Sequence, residues 1–461
     1  MSKTSDSSNA TAIYDARKLG APKMILLGLQ HLFAMFGATV TVPLLTGLDV
    51  STTLLAAGLG TLLFHLITKG KVPAFLGSSF AFLGGYAAIT ALEGSELAAG
   101  LTKAQLLPYA CIGVAFAGLV YLIISALIKI FGAGKVMRFF PPIVTGPIII
   151  AIGLTLAPSA INNCAAGWPI ALVAILTVVV CNIFGKKMIQ VLPILIGAVL
   201  SYVVAFAADA IKGDLSAYQA IADAAWIGLP VHKDATVLGL ANNFNSSIFV
   251  TSIITIVPIA LATVVEHIGD ISAISSTTGK NYIKDPGLHR TLLGDGLATI
   301  LASLLGGPAN TTYGENTGVL NLSKVYDPIV IRIAAFFAIL LSFCPKFAAI
   351  ISCMPAATIG GISLVLYGMI SAVGVRNMVE TKTDFTKSRN VIIAALILVL
   401  AIGISYSTAG AISFTIGQVT ISLSGLAIGA LVGIILNAVL PGKDYKFEDD
   451  QPNDTGVSYK V

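Results

Sequence analysis

Asn310-Thr311-Thr312-Tyr313-Gly314-Glu315-Asn316-Thr317-Gly318 is the stretch on which the reading of this fold turns. It is polar, yet it lies between two apolar runs, 291–307 and 329–343. A spanning helix needs roughly 20 mostly apolar residues, so 311–322 does not qualify on hydropathy. Thirteen other runs do read as membrane elements: 24–46, 52–67, 72–91, 106–130, 136–156, 168–184, 188–207, 248–276, 291–307, 329–343, 347–369, 391–404 and 411–439. If 311–322 crosses as a fourteenth, all 27 Lys and Arg except Lys103, Lys212, Lys233 and Lys346 fall on the side of the N-terminus. If it does not, everything after it changes sides and the basic loop from Arg376 to Arg389 lands outside. Basic residues gather in cytoplasmic loops, and that asymmetry decides for crossing. A polar element at membrane depth survives only where protein or a cavity surrounds it, so the stretch marks a site.

The rest of the composition agrees. Of 461 residues 56% are hydrophobic and 11% charged, with net charge +5. Mean hydropathy is +0.91. A soluble domain carries about 25% charged residues, which excludes an ordinary cytosolic enzyme, a disordered scaffold and a nucleic-acid binder. The 45 Gly and 19 Pro suit membrane helices, where small residues allow close approach. Cys111, Cys164, Cys181, Cys344 and Cys353 form no CxxC pair and read as packing thiols. The N-terminal stretch is polar and reads as no signal peptide; the residues from Lys443 read as a solvated tail.

A faint repeat runs through the chain. Phe140-Pro-Pro-Ile-Val-Thr-Gly in element five resembles Met354-Pro-Ala-Ala-Thr-Ile-Gly-Gly in element twelve. Gly77-Ser-Ser-Phe-Ala-Phe-Leu-Gly in element three parallels Asn310-Thr-Thr-Tyr-Gly-Glu-Asn in element ten. The offset is seven elements. An odd number per half inverts the second half, as in secondary transporters. The expected architecture is therefore all-α and polytopic, with short extended segments in elements three and ten.

Carboxylates inside the apolar runs are few, and each costs about 2.5 kcal/mol or more at the bilayer centre. Glu266 and Asp270 are spaced i,i+4, on one helix face. No Lys or Arg lies mid-span to pair them, which suits groups that exchange protons; a carboxylate paired to another helix's donor is the alternative. Glu315 follows an extended piece at the start of a half-helix, where free N–H groups and a positive dipole end point at ligand; it is otherwise a capping acid. Ser78-Ser79-Phe80 offers the matching feature in element three. Two carboxylates, backbone amides, and the flat walls of Phe80 and Tyr313 together fit a small neutral polar heterocycle or amide. His31 and His267 read as structural hydrogen-bonding groups, His289 and Arg290 as topology determinants, and Asp295 as an interfacial or capping acid. No helical HExxH or HxxxH pattern is present, and neither metal nor cofactor is expected.

These motifs, with Gln30-His31, Pro73 to Ala81, Glu266-His-Ile-Gly-Asp270, Asp285-Pro-Gly-Leu-His-Arg290 and Glu315-Asn-Thr-Gly318 followed by Ser323-Lys324, resemble the nucleobase–ascorbate transporter family, and within it the bacterial uracil permease branch. The resemblance runs from about Leu27 to Pro441. It implies fourteen elements in two inverted sets of seven. A substrate-carrying core would comprise 24–132 and 246–346; a gate would comprise 133–212 and 347–440. An extracellular connection at 213–245 and cytoplasmic tails at 1–23 and 441–461 complete the scheme. It further implies that Glu266 and Glu315 bind the N–H groups of a base and that the amides of Phe80 and Gly314 meet its carbonyls. Ala38 would lie near a bound water, Tyr313 on the ring, and Tyr367 on the gate side. Glu266 and Asp270 would couple a proton; some uracil permeases have His at the position of Asp270. The implied activity is uracil:proton symport across the plasma membrane by an elevator motion, in a homodimer. Sodium coupling or xanthine/purine selectivity are the nearest alternatives. More remote are an anion exchanger or channel of the same fold and an intramembrane aspartyl protease. The protease motif Gly-x-Gly-Asp fails here, because His267 and Leu292 stand where its first Gly belongs.

Overall fold

A computed structural model describes residues 12–443 and 445, except 99, 187, 243 and 417–418; for 188, 191, 241–242, 315, 415–416 and 419–421 it describes the backbone alone. The ends of both tails, with Lys3, Lys187, Lys446 and Lys460 of the charge argument, lie outside the described residues.

The chain begins with α1 (Ala21–Thr46) and α2 (Val50–Ile67). Gly47 ends α1 in the left-handed region at φ 85°, and Asp49 caps α2 by accepting from the Thr52 N–H. Element three is not one apolar helix. It is a strand, β1 (Leu76–Ser78), followed by the short α3 (Leu83–Thr90). Side chains of α2 hold this extended piece. The Thr61 hydroxyl donates to the Leu76 carbonyl at 3.2 Å and accepts from its N–H at 2.9 Å, and His65 Nε2 lies 3.0 Å from the Ala74 carbonyl oxygen. Helices α4 (Lys103–Phe131), α5 (Pro142–Ala165), α6 (Trp168–Phe184) and α7 (Pro193–Lys212) follow.

The second half opens with α8 (Ser246–Ile256) and α9 (Ala260–Thr278), separated by one 3-10 turn, then α10 (Leu288–Leu304). The polar stretch of element ten forms β2 (Asn310–Thr312) and the half-helix α11 (Gly314–Ser323). Then come α12 (Pro328–Ser342), α13 (Pro345–Ser352), α14 (Ala356–Glu380) and α15 (Ser388–Ser405). The hairpin β3 (Ala411–Ile416) and β4 (Val419–Ser424) and α16 (Gly425–Val439) complete the fold. Among the described residues eight helices, with Ser246–Thr278 as one, are long and apolar enough to cross a membrane; the bent pair α12 and α13 makes a ninth.

Elements seven apart in the chain meet in space, an arrangement consistent with two inverted sets of seven. β1 pairs antiparallel with β2 in the register Leu76↔Thr312, Gly77↔Thr311, Ser78↔Asn310. α2 packs on α10, and α5 lies along α14. The last contact is made by glycines: a β-carbon on Gly374 would stand 2.6 Å from the Gly146 carbonyl oxygen. Close backbone approach of this kind needs small residues. Gly374→Leu is therefore expected to cost about 1–3 kcal/mol through overpacking, read as a fall in the melting temperature of detergent-purified protein; an unchanged value would show that the interface yields freely.

The helices sort into two packing groups. In one, α4 packs on α10 and α8, α2 on α10 and α12, and α1 on α12. In the other, α5 packs on α14, α15 and α16, and α6 on α7 and α14.

Two expectations need correction. The run 411–439 is not a single helix: its first part pairs as the β3–β4 hairpin. Ile412-Ser-Phe-Thr-Ile416 and Val419-Thr-Ile-Ser-Leu423 alternate apolar and polar residues with period two, a strand pattern that a sliding count of apolar residues hides. The run 347–369 is likewise divided, because the chain breaks at Cys353 to Pro355; α13 turns 89° from α12 and only then does α14 begin. Residues 13–19 dock on the rest of the protein. Ile13 bridges Val325, the Ala16 N–H donates to Asp327 Oδ2 at 2.8 Å, and Lys280 Nζ lies 4.3 Å from the Tyr14 ring centroid.

Candidate functional site

The site is built where the two broken elements meet. Past β1 the chain turns at Ser79 and Phe80 into α3; past β2 it turns at Tyr313 into α11. The first N–H groups of a helix have no intrahelical acceptor, so each turn presents backbone donors. Several side chains lock the crossing. The Asn310 amide donates to the Ala56 carbonyl at 2.8 Å, and the Thr299 hydroxyl donates to the Asn310 carbonyl at 2.5 Å. The Tyr313 hydroxyl donates to the Ser78 carbonyl at 2.9 Å and accepts from Thr39 at 3.3 Å. Gly77 is required here, since a β-carbon would come within 2.5 Å of the Tyr313 ring.

Ala38, Phe80, Tyr313 and Tyr367 belong to one packed cluster together with Leu32 and Met35. The Phe80 and Tyr367 rings meet edge to face, with centroids 5.7 Å apart and planes at 79°. Four residues from α1, both broken elements and α14 are thus gathered at one place. Gly314 begins α11 beside Asp270: a β-carbon on it would lie 3.3 Å from Asp270 Oδ1. Glu266 is half-buried one turn earlier on α9. The backbone of Glu315 lies in the first turn of α11, while its side chain falls outside the described residues.

Behind this face the structure joins residues that sequence reading kept apart. The Thr312 hydroxyl donates to Asp270 Oδ2 at 3.2 Å and lies 3.3 Å from His267 Nδ1. The same Nδ1 lies 3.3 Å from Asp295 Oδ2, and both His267 and Asp295 are fully buried. Asp295 is therefore neither interfacial nor a cap. It sits inside α10, facing α9, and the run boundary at 291 hid this because α10 actually begins at Leu288. The result is a continuous polar chain, Asp270–Thr312–His267–Asp295, from the start of α11 into the protein interior. Its sequence signal was an acid within an apolar run without a basic neighbour. Thr312 carried no signal of its own.

His31 also meets the polar element. The Asn316 amide donates to the His31 carbonyl at 3.2 Å and lies at the same distance from its Nδ1. This contact ties α11 to α1.

The chain is similar to known proteins over most of its length. Residues 22–410 match a family described as "Permease family". A protein named probable uracil permease from Haemophilus influenzae is 41% identical over 428 residues, covering 91% of this chain and 94% of its own. The uracil permease of Bacillus caldolyticus is 40% identical over 440 residues, covering 93% and 95%. Among solved structures, the transmembrane domain of a cyanobacterium bicarbonate transporter, BicA, superposes with a TM-score of 0.60 at 15% identity, covering 92% of this chain and 98% of its own. That last likeness concerns the fold alone. The relatives are permeases, which overturns the protease alternative. With its many apolar helices and a family match over most of its length, this chain belongs to the nucleobase–ascorbate transporter family: it is a multi-pass membrane transporter of the nucleobase class, not an enzyme.

Proposed function

We propose that the chain imports uracil by proton symport across the plasma membrane, with both termini cytoplasmic and Glu266, Glu315 and the turns at Phe80 and Gly314 as the binding site. The observation that carries this reading is the placement of Glu266 and Asp270 on one face of α9, with the Asp270 carboxylate against the first residue of α11. A planar ring with N–H groups toward carboxylates and carbonyls toward amides suits that surface, and Tyr313, Phe80 and Tyr367 supply its apolar walls. Uracil is neutral at physiological pH, so accumulation needs a coupled cation. The two packing groups suit a core (24–132 and 246–346) that slides against a gate (133–212 and 347–440) in an elevator motion, with homodimers formed through the gate.

Radiolabelled uracil uptake into proteoliposomes, under separately imposed pH and sodium gradients, tests this directly. Uptake driven by an inward proton gradient, competed by uracil ahead of thymine and xanthine, is expected. Uptake driven only by sodium, or preference for xanthine, would replace the proposal by the corresponding alternative. Tyr313→Phe should weaken uracil binding by about fivefold, since the lost hydroxyl leaves the Ser78 carbonyl without its donor at about 1 kcal/mol. Unchanged affinity in an equilibrium binding assay would show that the β1 turn holds its shape unaided.

A further inference from the structure

A cavity of about 400 Å³ opens where the last turn of α4, the turn at residues 283–287 and the first turn of α10 meet. Its floor is apolar, from Ile128, Ile283 and Leu288, and Lys129, Lys284 and His289 supply its polar rim. Ala133 also lines it, and that residue opens the short helix Ala133–Met137 through which α4 leads toward α5. The cavity therefore sits on the connector between the two packing groups.

The rim is built, not incidental. The Ser125 hydroxyl donates to the His289 carbonyl at 2.5 Å and fixes that backbone against α4. Gly287 has φ 99°, and a β-carbon there would stand 2.7 Å from His289 Cε1. Glycine thus lets the imidazole fold back over the turn. The nearest acid in sequence, Asp285, is engaged by Lys71 Nζ at 2.6 Å from both carboxylate oxygens. Arg290 is turned away, with Nη1 donating to the Ile67 carbonyl at 3.1 Å. Among the described residues, neither Lys129 nor His289 takes part in an ion pair.

Cationic groups around an apolar floor at a cytoplasmic membrane edge match a phosphate attached to acyl chains better than a free phosphate, which has nothing to place on Ile128, Ile283 and Leu288. We propose that this cavity binds the headgroup phosphate of an anionic phospholipid of the cytoplasmic leaflet, with Lys129 and Lys284 on the phosphate and the acyl chain against the apolar floor. The cytoplasmic placement rests on the topology proposed above. A lipid bound there would brace the connector along which one packing group must move relative to the other.

Native mass spectrometry of the full-length protein, purified in detergent with added phosphatidylglycerol, tests this without any transport assay. The unmodified protein should retain phosphatidylglycerol in preference to phosphatidylcholine. Each of Lys129→Gln and Lys284→Gln should weaken retention by about fivefold, and Gly287→Ala should weaken it by displacing the His289 ring. Lys103→Gln, on the opposite membrane face, should change nothing. Equal retention in Lys129→Gln, Lys284→Gln and the unmodified protein would overturn the proposal, as would displacement of the lipid by inorganic phosphate at the same concentration. Uracil binding measured on the same samples separates this outcome from a failure of the transport reading, because none of these residues lies at the Glu266 site.

Discussion

Glu266→Gln should leave a protein that folds and binds but no longer accumulates uracil, with proton-driven uptake reduced at least about a hundredfold, as expected when the group that carries the coupled proton cannot ionise. Gln matches Glu in shape and keeps an amide oxygen for a substrate N–H. What it removes is ionisation. A charge on a helix at membrane depth costs about 2.5–3.5 kcal/mol, so the variant should be at least as heat-stable as the parent. That sign separates a transport role from a structural one. Uracil uptake in proteoliposomes, set beside melting temperature and equilibrium binding, gives the answer. If Glu266→Gln accumulates uracil at the parent rate, proton coupling does not pass through α9, and the proposed mechanism fails there.

The second large effect is expected at Asp295. It is fully buried and faces His267 at 3.3 Å. Removing one partner of a buried polar contact leaves the other unsatisfied, which typically costs about 1–3 kcal/mol. Asp295→Ala should therefore lower the melting temperature clearly and abolish transport. Asp295→Asn keeps the shape without the ionisable carboxyl, so it should fold but lose pH-dependent uptake. The double change Asp295→Asn with His267→Asn measures the coupling, and the two single effects should fail to add. Full additivity, or a parental pH profile in Asp295→Asn, would mean that the polar chain Asp270–Thr312–His267–Asp295 is scaffolding alone.

Much of this site was legible in the residues. Glu266 and Asp270 stood out because a carboxylate in an apolar run is costly. The 310–318 stretch stood out because polarity at membrane depth demands shelter. Phe80 and Tyr313 stood out as flat apolar walls, Ala38 and Tyr367 followed from the family resemblance, and the structure gathers all four in one cluster. Asp295 was misplaced because hydropathy locates the edge of a run only to within a few residues, and a shift of three residues separates a cap from an interior position. The β3–β4 hairpin was missed because its alternation is apolar enough to resemble a span.

Hydropathy and charge asymmetry determined, without coordinates, that this is a polytopic membrane protein, and the polar tenth element and the isolated acids marked the candidate site. These are properties of the chain's exchange with lipid and water, so they are written residue by residue. The pairing of β1 with β2, the meeting of Asp295 with His267 through Thr312, and the basic cavity beside Gly287 were decided only by tertiary structure. Each joins residues brought together by packing between helices distant in the chain, and no local pattern records which faces will meet.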